Sequence, residues 1–298
     1  MAQITAADVK KLREMTSAGM MDCKRALSET DGDMDAAVDF LRKKGLAAAA
    51  KKAGRVAAEG IVLATSTGNS GVILEVNSET DFVSKNEQFR EFVDHLAKLI
   101  LNKNPADVDA LNALSFDGEH SVKQALSRLI STIGENMSIR RFDRIQLGHG
   151  VVSSYVHGAG KIGVLIGIKG KEDQSLIDIA RGIAMHVAAV NPRHIRREEV
   201  PSDAIERERS VLSERAAASG KPEHIIDKIV HGQLNKFYSE ICLLDQEFVM
   251  DTDHTVAGAL AAVQPDSEVV LMRRFQLGEG IEKEESDFAA EVAAQVNG

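Results

Sequence analysis

The sequence predicts an α+β protein built from two related halves, with a small helical module ahead of them and a helical arm inserted into the second. Three observations carry this. An apolar hairpin pattern, Gly60-Ile61-Val62-Leu63-Ala64 turning through Gly68-Asn69-Ser70-Gly71 into Val72-Ile73-Leu74-Glu75-Val76, returns about ninety residues later. The second copy reads Gly150-Val151-Val152-Ser153, His157-Gly158-Ala159-Gly160 and Gly163-Val164-Leu165-Ile166-Gly167-Ile168. Each copy runs into helical spacing, with Phe89, Phe92, Val93, Leu96, Leu99 and Ile100 in the first and Ile179, Ile183, Val187 and Val190 in the second. Finally, Ile139-Arg140-Arg141-Phe142 leading to Gln146-Leu147-Gly148 echoes Met272-Arg273-Arg274-Phe275-Gln276-Leu277-Gly278, so each half closes on a third strand of a small antiparallel sheet.

Taken in order, Thr5 and Asp8 form a capping-box-like start to a helix carrying Val9 and Leu12. Gly19 interrupts it, and a second helix runs from about Asp22 through Leu27. A third opens near Asp33, carries Met34, Ala37, Val38 and Leu41, and is expected to stop at Gly45. Residues 1–45 are therefore one weakly cored module, whose Ser17-Ala18-Gly19-Met20-Met21 turn either offers two adaptable methionines to a partner or uses them to fill the core. An Ala-rich helical linker with Lys51, Lys52 and Arg55 covers 46–59. The two subdomains follow at 60–148 and 149–277, with helices at Val122 to Ile133 and Val256 to Val263 preceding the third strands. Between about 192 and 251 lies the insertion, a helical hairpin with Ile205, Val211 and Leu212 on one arm and Ile225, Ile226, Ile229, Val230, Leu234 and Phe237 on the other. Ser219-Gly220-Lys221-Pro222 makes its turn, and the arm suits a dimer contact, a partner contact or a spacer. Residues 278–298 form a C-terminal helical module with Phe288, Val292 and Val296 on one face and Glu282, Glu284, Glu285 and Asp287 on the other. The segment from Asn102 to Glu119 shows no assignable pattern.

Composition excludes several classes of function. The 298 residues, 44% hydrophobic and 27% charged, suit about two soluble domains. Aromatics at 4%, no Trp and a net charge of −9 count against stacking platforms or a phosphate-binding surface for nucleic acid. The N-terminus has no signal-peptide pattern and no apolar run has the length of a membrane span, so the expected location is the cytoplasm. Cys23 and Cys242 lie far apart in sequence and are expected to be free thiols.

No catalytic motif is present. Gly158-Ala159-Gly160-Lys161 lacks the upstream glycine of a phosphate loop, and there is neither a His-Glu-x-x-His pair nor a Gly-x-Ser-x-Gly elbow. His186, within an apolar helical run, reads as a structural histidine, whereas His157 at a turn tip could reach a partner. The stretch that stands out joins the first hairpin to its helix, where Asp81-Phe82-Val83 puts an aromatic and a β-branched residue in a connection that should be polar. Phe82 either folds back on its own domain or serves as an apolar knob for a partner's pocket, with Asp81 fixing register. An RNA-binding alternative would use Lys51, Lys52 and Arg55 with the Arg140-Arg141 and Arg193, Arg196, Arg197 clusters, and dispersed catalytic residues would make an enzyme.

The chain resembles the bacterial translation elongation factor Ts family, the guanine-nucleotide exchange factors of elongation factor Tu. Leu12-Arg13-Glu14-Met15-Thr16-Ser17-Ala18-Gly19-Met20-Met21-Asp22-Cys23-Lys24-Arg25-Ala26-Leu27 is similar to one family signature. Glu75-Val76-Asn77-Ser78-Glu79-Thr80-Asp81-Phe82-Val83-Ser84-Lys85 is similar to the other, and the resemblance covers nearly the whole chain. It implies a module similar to ubiquitin-associated domains, two core subdomains, a coiled-coil arm and a C-terminal module. It also implies that Phe82 is wedged between helices of the partner's nucleotide domain near the magnesium and phosphate site, with Asp81 as polar anchor and Thr80 and Val83 shaping the loop. Arg13, Met20, Met21 and the C-terminal helix would grip the same domain, while His157 and Phe248-Val249-Met250 would face the partner's third domain. The implied activity is binding of the GDP-bound partner, disruption of its magnesium and phosphate site and release of GDP so that GTP rebinds. No covalent chemistry, cofactor, metal site, direct nucleic-acid contact or membrane is expected, and a homodimer or an assembly of two factors with two partners stays open.

Overall fold

Thr5 and Asp8 do cap the first helix, α1 (Ala6–Thr16): the Asp8 backbone N–H reaches Thr5 Oγ1 at 3.2 Å and the Thr5 N–H returns to Asp8 Oδ2 at 3.0 Å. The computed structural model describes residues 4–16, 18–218 and 222–282, so Ser17, the arm's turn at 219–221 and, from 283 on, the C-terminal helical module expected over 278–298 lie outside the described residues. By its contacts the chain divides into two units, Met1–Ile61 with Leu74–Phe142 and Gln276–Gly298, and Val62–Ile73 with Asp143–Phe275.

In the first unit, α2 (Met20–Glu29) and α3 (Met34–Lys52) pack on α1 around Leu12, Cys23, Ala26, Leu27 and Ala37. Asp33 caps α3 by accepting the Ala36 N–H at 3.0 Å. The stop expected at Gly45 does not occur. Gly45 is buried inside α3 against α6, where a Cβ would lie 3.8 Å from that of Ser131. The glycine costs the helix about 1 kcal/mol relative to Ala, and the Ala-rich run to Lys52 and the packing offset it.

The first hairpin is β1 (Glu59–Thr67) and β2 (Ser70–Ser78); with β3 (Met137–Gln146) the order is β1-β2-β3, and the central strand β2 is buried almost end to end. Between β2 and β3 run α4 (Glu87–Lys103), the short α5 (Val108–Ala113) and α6 (Val122–Ile133). The unassigned stretch is built by side chains closing turns locally: the Asp117 carboxylate accepts the N–H groups of Glu119 and His120, and Ser115 that of Gly118. Phe116 then stacks on Phe92, ring centres 5.3 Å apart, with His95 tilted against it at 4.2 Å.

The second half of the sequence repeats the plan. Strand β4 (Val151–His157) pairs antiparallel with β5 (Ile162–Lys169), from Val151 opposite Ile168 to His157 opposite Ile162. Helix α7 (Gln174–Val190) follows, and like α4 it has 17 residues, an Asn or Asp N-cap and a left-handed Asn at its C-terminus. The arm is α8 (Ser202–Ala217) and α9 (Glu223–Ile241), joined through Leu212, Ala216, Val230 and Leu234. Val211 and Ile225, carried on the two arms, are exposed and lie outside that seam. Two short strands that the sequence did not announce, β6 (Glu247–Phe248) and β7 (Asp251–Thr255), lead to α10 (Val256–Val263) and β8 (Glu268–Gln276), which closes the sheet β4-β5-β8.

Each hairpin opens on a glycine that nothing else replaces. Gly60 and Gly150 have φ of +121° and +107°, and a Cβ would stand 2.2 Å from Val76 O in the first and 2.1 Å from Ile168 O in the second. Gly150→Ala is therefore expected to lower stability by about 2 kcal/mol, read from the denaturant midpoint. A loss below about 0.5 kcal/mol would show that the strand shifts freely.

Candidate partner-binding site

Residues 79–86 carry the chain from the end of β2 to the cap of α4, and their two sides differ sharply. Val83 opens a turn of 3-10 helix (Val83–Lys85) and is 3% exposed, packed inward, whereas Phe82 beside it is 75% exposed. Asp81 is exposed too, and no described residue engages its carboxylate. Thus Thr80 and Val83 hold the loop while Asp81 and Phe82 face out.

The hold on Thr80 is made by a residue that the sequence did not single out. Glu135 accepts the Thr80 backbone N–H through Oε2 at 2.9 Å and its hydroxyl through Oε1 at 2.7 Å. Glu79 reciprocates by accepting the Asn136 backbone N–H, and Asn136 Nδ2 donates to Arg55 O at 2.7 Å. Ser78 Oγ donates to Thr80 O at 2.9 Å, Ser84 Oγ to Asp81 O at 2.6 Å, and Arg90 Nε to Ser84 O at 2.8 Å. Bonds on both flanks of Phe82 restrain the loop backbone where it is most exposed. The Lys85 ammonium lies 5.9 Å from the Phe82 ring centre, a weak cation–π contact at the limit of its range.

Five residues upstream, Glu75 is fully buried. Burial pushes its carboxyl pKa up, but the Gly278 N–H at 2.8 Å, Arg140 at 2.9 Å, Arg141 at 2.7 Å and Asn77 at 3.2 Å together outweigh that and hold it below the usual glutamate value. Arg140 and Arg141, which an RNA-binding surface would use, are thus occupied. In the second unit the same holds of Arg196, bonded to Glu268 at 2.6 Å, and of Arg197, bonded to Asp245 at 2.7 Å.

Among the other expected contacts, Arg13, Met20 and Met21 line with Ile4, Val9 and Lys24 a shallow apolar hollow of about 610 Å³. The methionines sit on the first turn of α2, not in the turn before it, because Gly19 is the N-cap. At 59% and 70% exposed they do not fill the core.

In the second unit, His157 ends β4, with Tyr155 Oη 3.1 Å from its Nδ1. Val249 and Met250 are exposed at the β6–β7 turn, whereas Phe248 of the same stretch is 4% exposed and packs against Gly182 and His186. His186 is structural: its Nδ1 accepts the Val249 N–H at 3.3 Å, which leaves Nε2–H to donate to Gln246 Oε1 at 2.9 Å. Burial lowers its pKa against the opposing pull of Gln246. Cys23 and Cys242 are buried free thiols, and burial pushes Cys242 up to about 11. Among the described residues no three His, Cys, Asp or Glu side chains converge as metal ligands, and no helix is long and apolar enough to cross a membrane.

Comparison with known proteins places this arrangement among relatives. The family model described as "Elongation factor TS" matches residues 79–279, from the clamped loop to the segment that Glu75 holds. The chain is 53% identical over 309 residues to the elongation factor Ts of Parvibaculum lavamentivorans, covering 100% of each chain. It is 53% identical to that of Rhodospirillum rubrum, covering 99% of each, and 50% identical to that of Magnetococcus marinus, again covering 99% of each.

Proposed function

Because the chain belongs to the elongation factor Ts family, we propose that it is a guanine-nucleotide exchange factor that acts on GDP-bound elongation factor Tu in the cytoplasm during the elongation stage of protein synthesis. The observation that carries the reading is Phe82, a large apolar side chain 75% exposed on a loop whose flanks are bonded down. A soluble protein does not gain by presenting a rigid aromatic to water, whereas a wedge does, since little conformational entropy remains to be lost when it enters a pocket.

Phe82 enters between helices of the partner's nucleotide domain, and Asp81 beside it fixes the register. The groups that hold magnesium and the β-phosphate through charge-assisted bonds are displaced, and the affinity for GDP falls. Linkage sets the size of the effect: by whatever factor this chain weakens GDP binding, GDP weakens the binding of this chain. GTP then rebinds and expels the factor. The chain makes and breaks no covalent bond in this cycle. The pairing of Arg140, Arg141, Arg196 and Arg197 with carboxylates favours this reading over RNA binding.

The test is release of a fluorescent GDP analogue from elongation factor Tu with catalytic amounts of this protein. Strong acceleration is expected, and none would end the reading. Arg13, Met20 and Met21 in the first unit and His157, Val249 and Met250 in the second supply affinity away from the wedge. Met250→Ala is therefore expected to raise the concentration for half-maximal release about fivefold and leave the maximal rate unchanged. A fall in the maximal rate would move Met250 from docking to the exchange step.

A further inference from the structure

We propose that Glu135 is a positioning residue of the exchange reaction, holding the Phe82 loop in its working conformation before the partner arrives; the proposal rests on the exchange reading of that loop. The geometry is a reciprocal clasp between two backbone segments. Glu135 takes both donors of Thr80, at 2.9 and 2.7 Å, while Glu79 takes the N–H of Asn136. Glu135 is aimed there by its place in the chain. It follows Gly134, the left-handed C-cap of α6 at φ +91°, and precedes β3 at Met137, so neither its backbone nor its half-buried side chain is free to swing away.

The second half of the molecule shows that the clasp is separable from the wedge. Gln264, the C-cap of α10, accepts the Lys171 N–H at 2.9 Å and donates to Lys171 O at 2.9 Å, tying the exit of β5 as Glu135 ties the exit of β2. The loop it secures, Gly170-Lys171-Glu172-Asp173, carries no apolar knob. The same device thus holds two loops, and in the first half it sits two residues from the exposed aromatic. Two bonds to an ionised carboxylate are the strongest local restraint on the residues before Phe82. Without them the loop has to be ordered at the moment of wedging, and the contacts made elsewhere on the chain, which govern docking, stay as they were.

The test compares wild type, Glu135→Ala, Glu135→Gln, Phe82→Ala and Gln264→Ala in stimulated release of a fluorescent GDP analogue, with amide hydrogen exchange over residues 79–86 and 170–173 of each free protein. Glu135→Ala is expected to lower the maximal release rate about tenfold, to leave the half-saturating concentration within about twofold, and to speed exchange of the loop amides. Glu135→Gln keeps an acceptor for the Thr80 N–H and is expected to recover the rate to within about threefold. Gln264→Ala is expected to loosen the other loop and leave the maximal rate unchanged.

Faster loop exchange in Glu135→Ala with an undiminished maximal rate overturns the proposal. So does a shift in half-saturation alone, or an equal loss in Gln264→Ala, which would mark a general effect of stability. If Glu135→Ala does not fold, Thr80→Val removes the hydroxyl arm of the clasp at constant shape; a several-fold lower maximum supports the proposal and an unchanged one overturns it. Full activity in Phe82→Ala would instead fell the wedge reading, and the proposal with it, an outcome told apart because hydrogen exchange in the free protein reports the clasp without the partner.

Discussion

Phe82→Ala is expected to cut the maximal stimulated rate of GDP release by about 30-fold or more while leaving the denaturant midpoint of the free protein where it was. Both halves of that expectation come from one number. Phe82 is 75% exposed, so its truncation opens no cavity and removes no core contact, and surface changes of this kind stay within about 0.5 kcal/mol. On the proposed reading the same ring is the anchor in the complex, and a central aromatic that fills a pocket accounts for about 2 kcal/mol or more by truncation, roughly 30-fold at room temperature. Val83→Ala gives the opposite signature. Val83 is 3% exposed beneath the loop, so its truncation should lower stability by about 1 to 2 kcal/mol and affect exchange only through the loop's order. If Phe82→Ala exchanges as fast as wild type, the ring is not the wedge and its exposure has another cause.

How much of this was legible in the sequence depends on the range of the interaction that makes each feature. Short-range signals carried the elements. The hairpins and their helices followed from period and glycine placement, and the Asp33 cap and the helices over Val122–Ile133 and Val256–Val263 formed where propensity put them. Gly45 misled because the rule that ends helices at glycine is local, whereas the close pass of α6 that makes a small residue useful there is not. The apolar residues of the arm left its seam open, because spacing along one helix does not say which of them meets the neighbour: Leu212 is buried and the adjacent Val211 is exposed.

The site divides along the same line. Asp81, Phe82 and Val83 stood out from their pattern, because an aromatic in a polar connection is a local anomaly, whereas the part of Thr80 and the outward reading of Phe82 came from the family resemblance. The inward turn of Phe248 could not, since it is set by Gly182, 66 positions away and leaving room for the ring. Glu135 was silent for a related reason: its partner Thr80 is 55 residues distant, and a glutamate after a helix C-cap carries no mark of what it will accept. The signal that could have found it is the internal repeat. Aligning the two halves draws attention to the residues just past α6 and α10, where Glu135 and Gln264 stand at neighbouring though not identical positions, each able to accept a backbone N–H.

Glu75→Ala is expected to be the most destabilising of these substitutions, by about 3 kcal/mol, and to do so without touching a surface group. Its carboxylate is fully buried and takes donors from three segments, β2 itself through Asn77, β3 through Arg140 and Arg141, and the chain beyond β8 through the Gly278 N–H. Removing one member of a buried pair usually costs about 3 to 5 kcal/mol, and the low end applies because the Arg140 and Arg141 side chains are 25% and 32% exposed and regain some water. Arg141 also reaches Glu279 at 3.1 Å, so the loss also loosens the residues that follow Gly278.

Acid titrates the same contact. The folded carboxyl is held below the ordinary glutamate value, so its contribution is complete above that ordinary value and is lost as pH falls through the lower, folded one. Stability of the wild type should drop across that acid interval, and Glu75→Gln, already uncharged, should be less stable at neutral pH and flatter below it. Hydrogen exchange of the β2 amides reads the effect within the first unit. A pH profile for Glu75→Gln parallel to that of the wild type would mean that other carboxylates govern acid unfolding and that the arginine pair contributes less than its burial indicates.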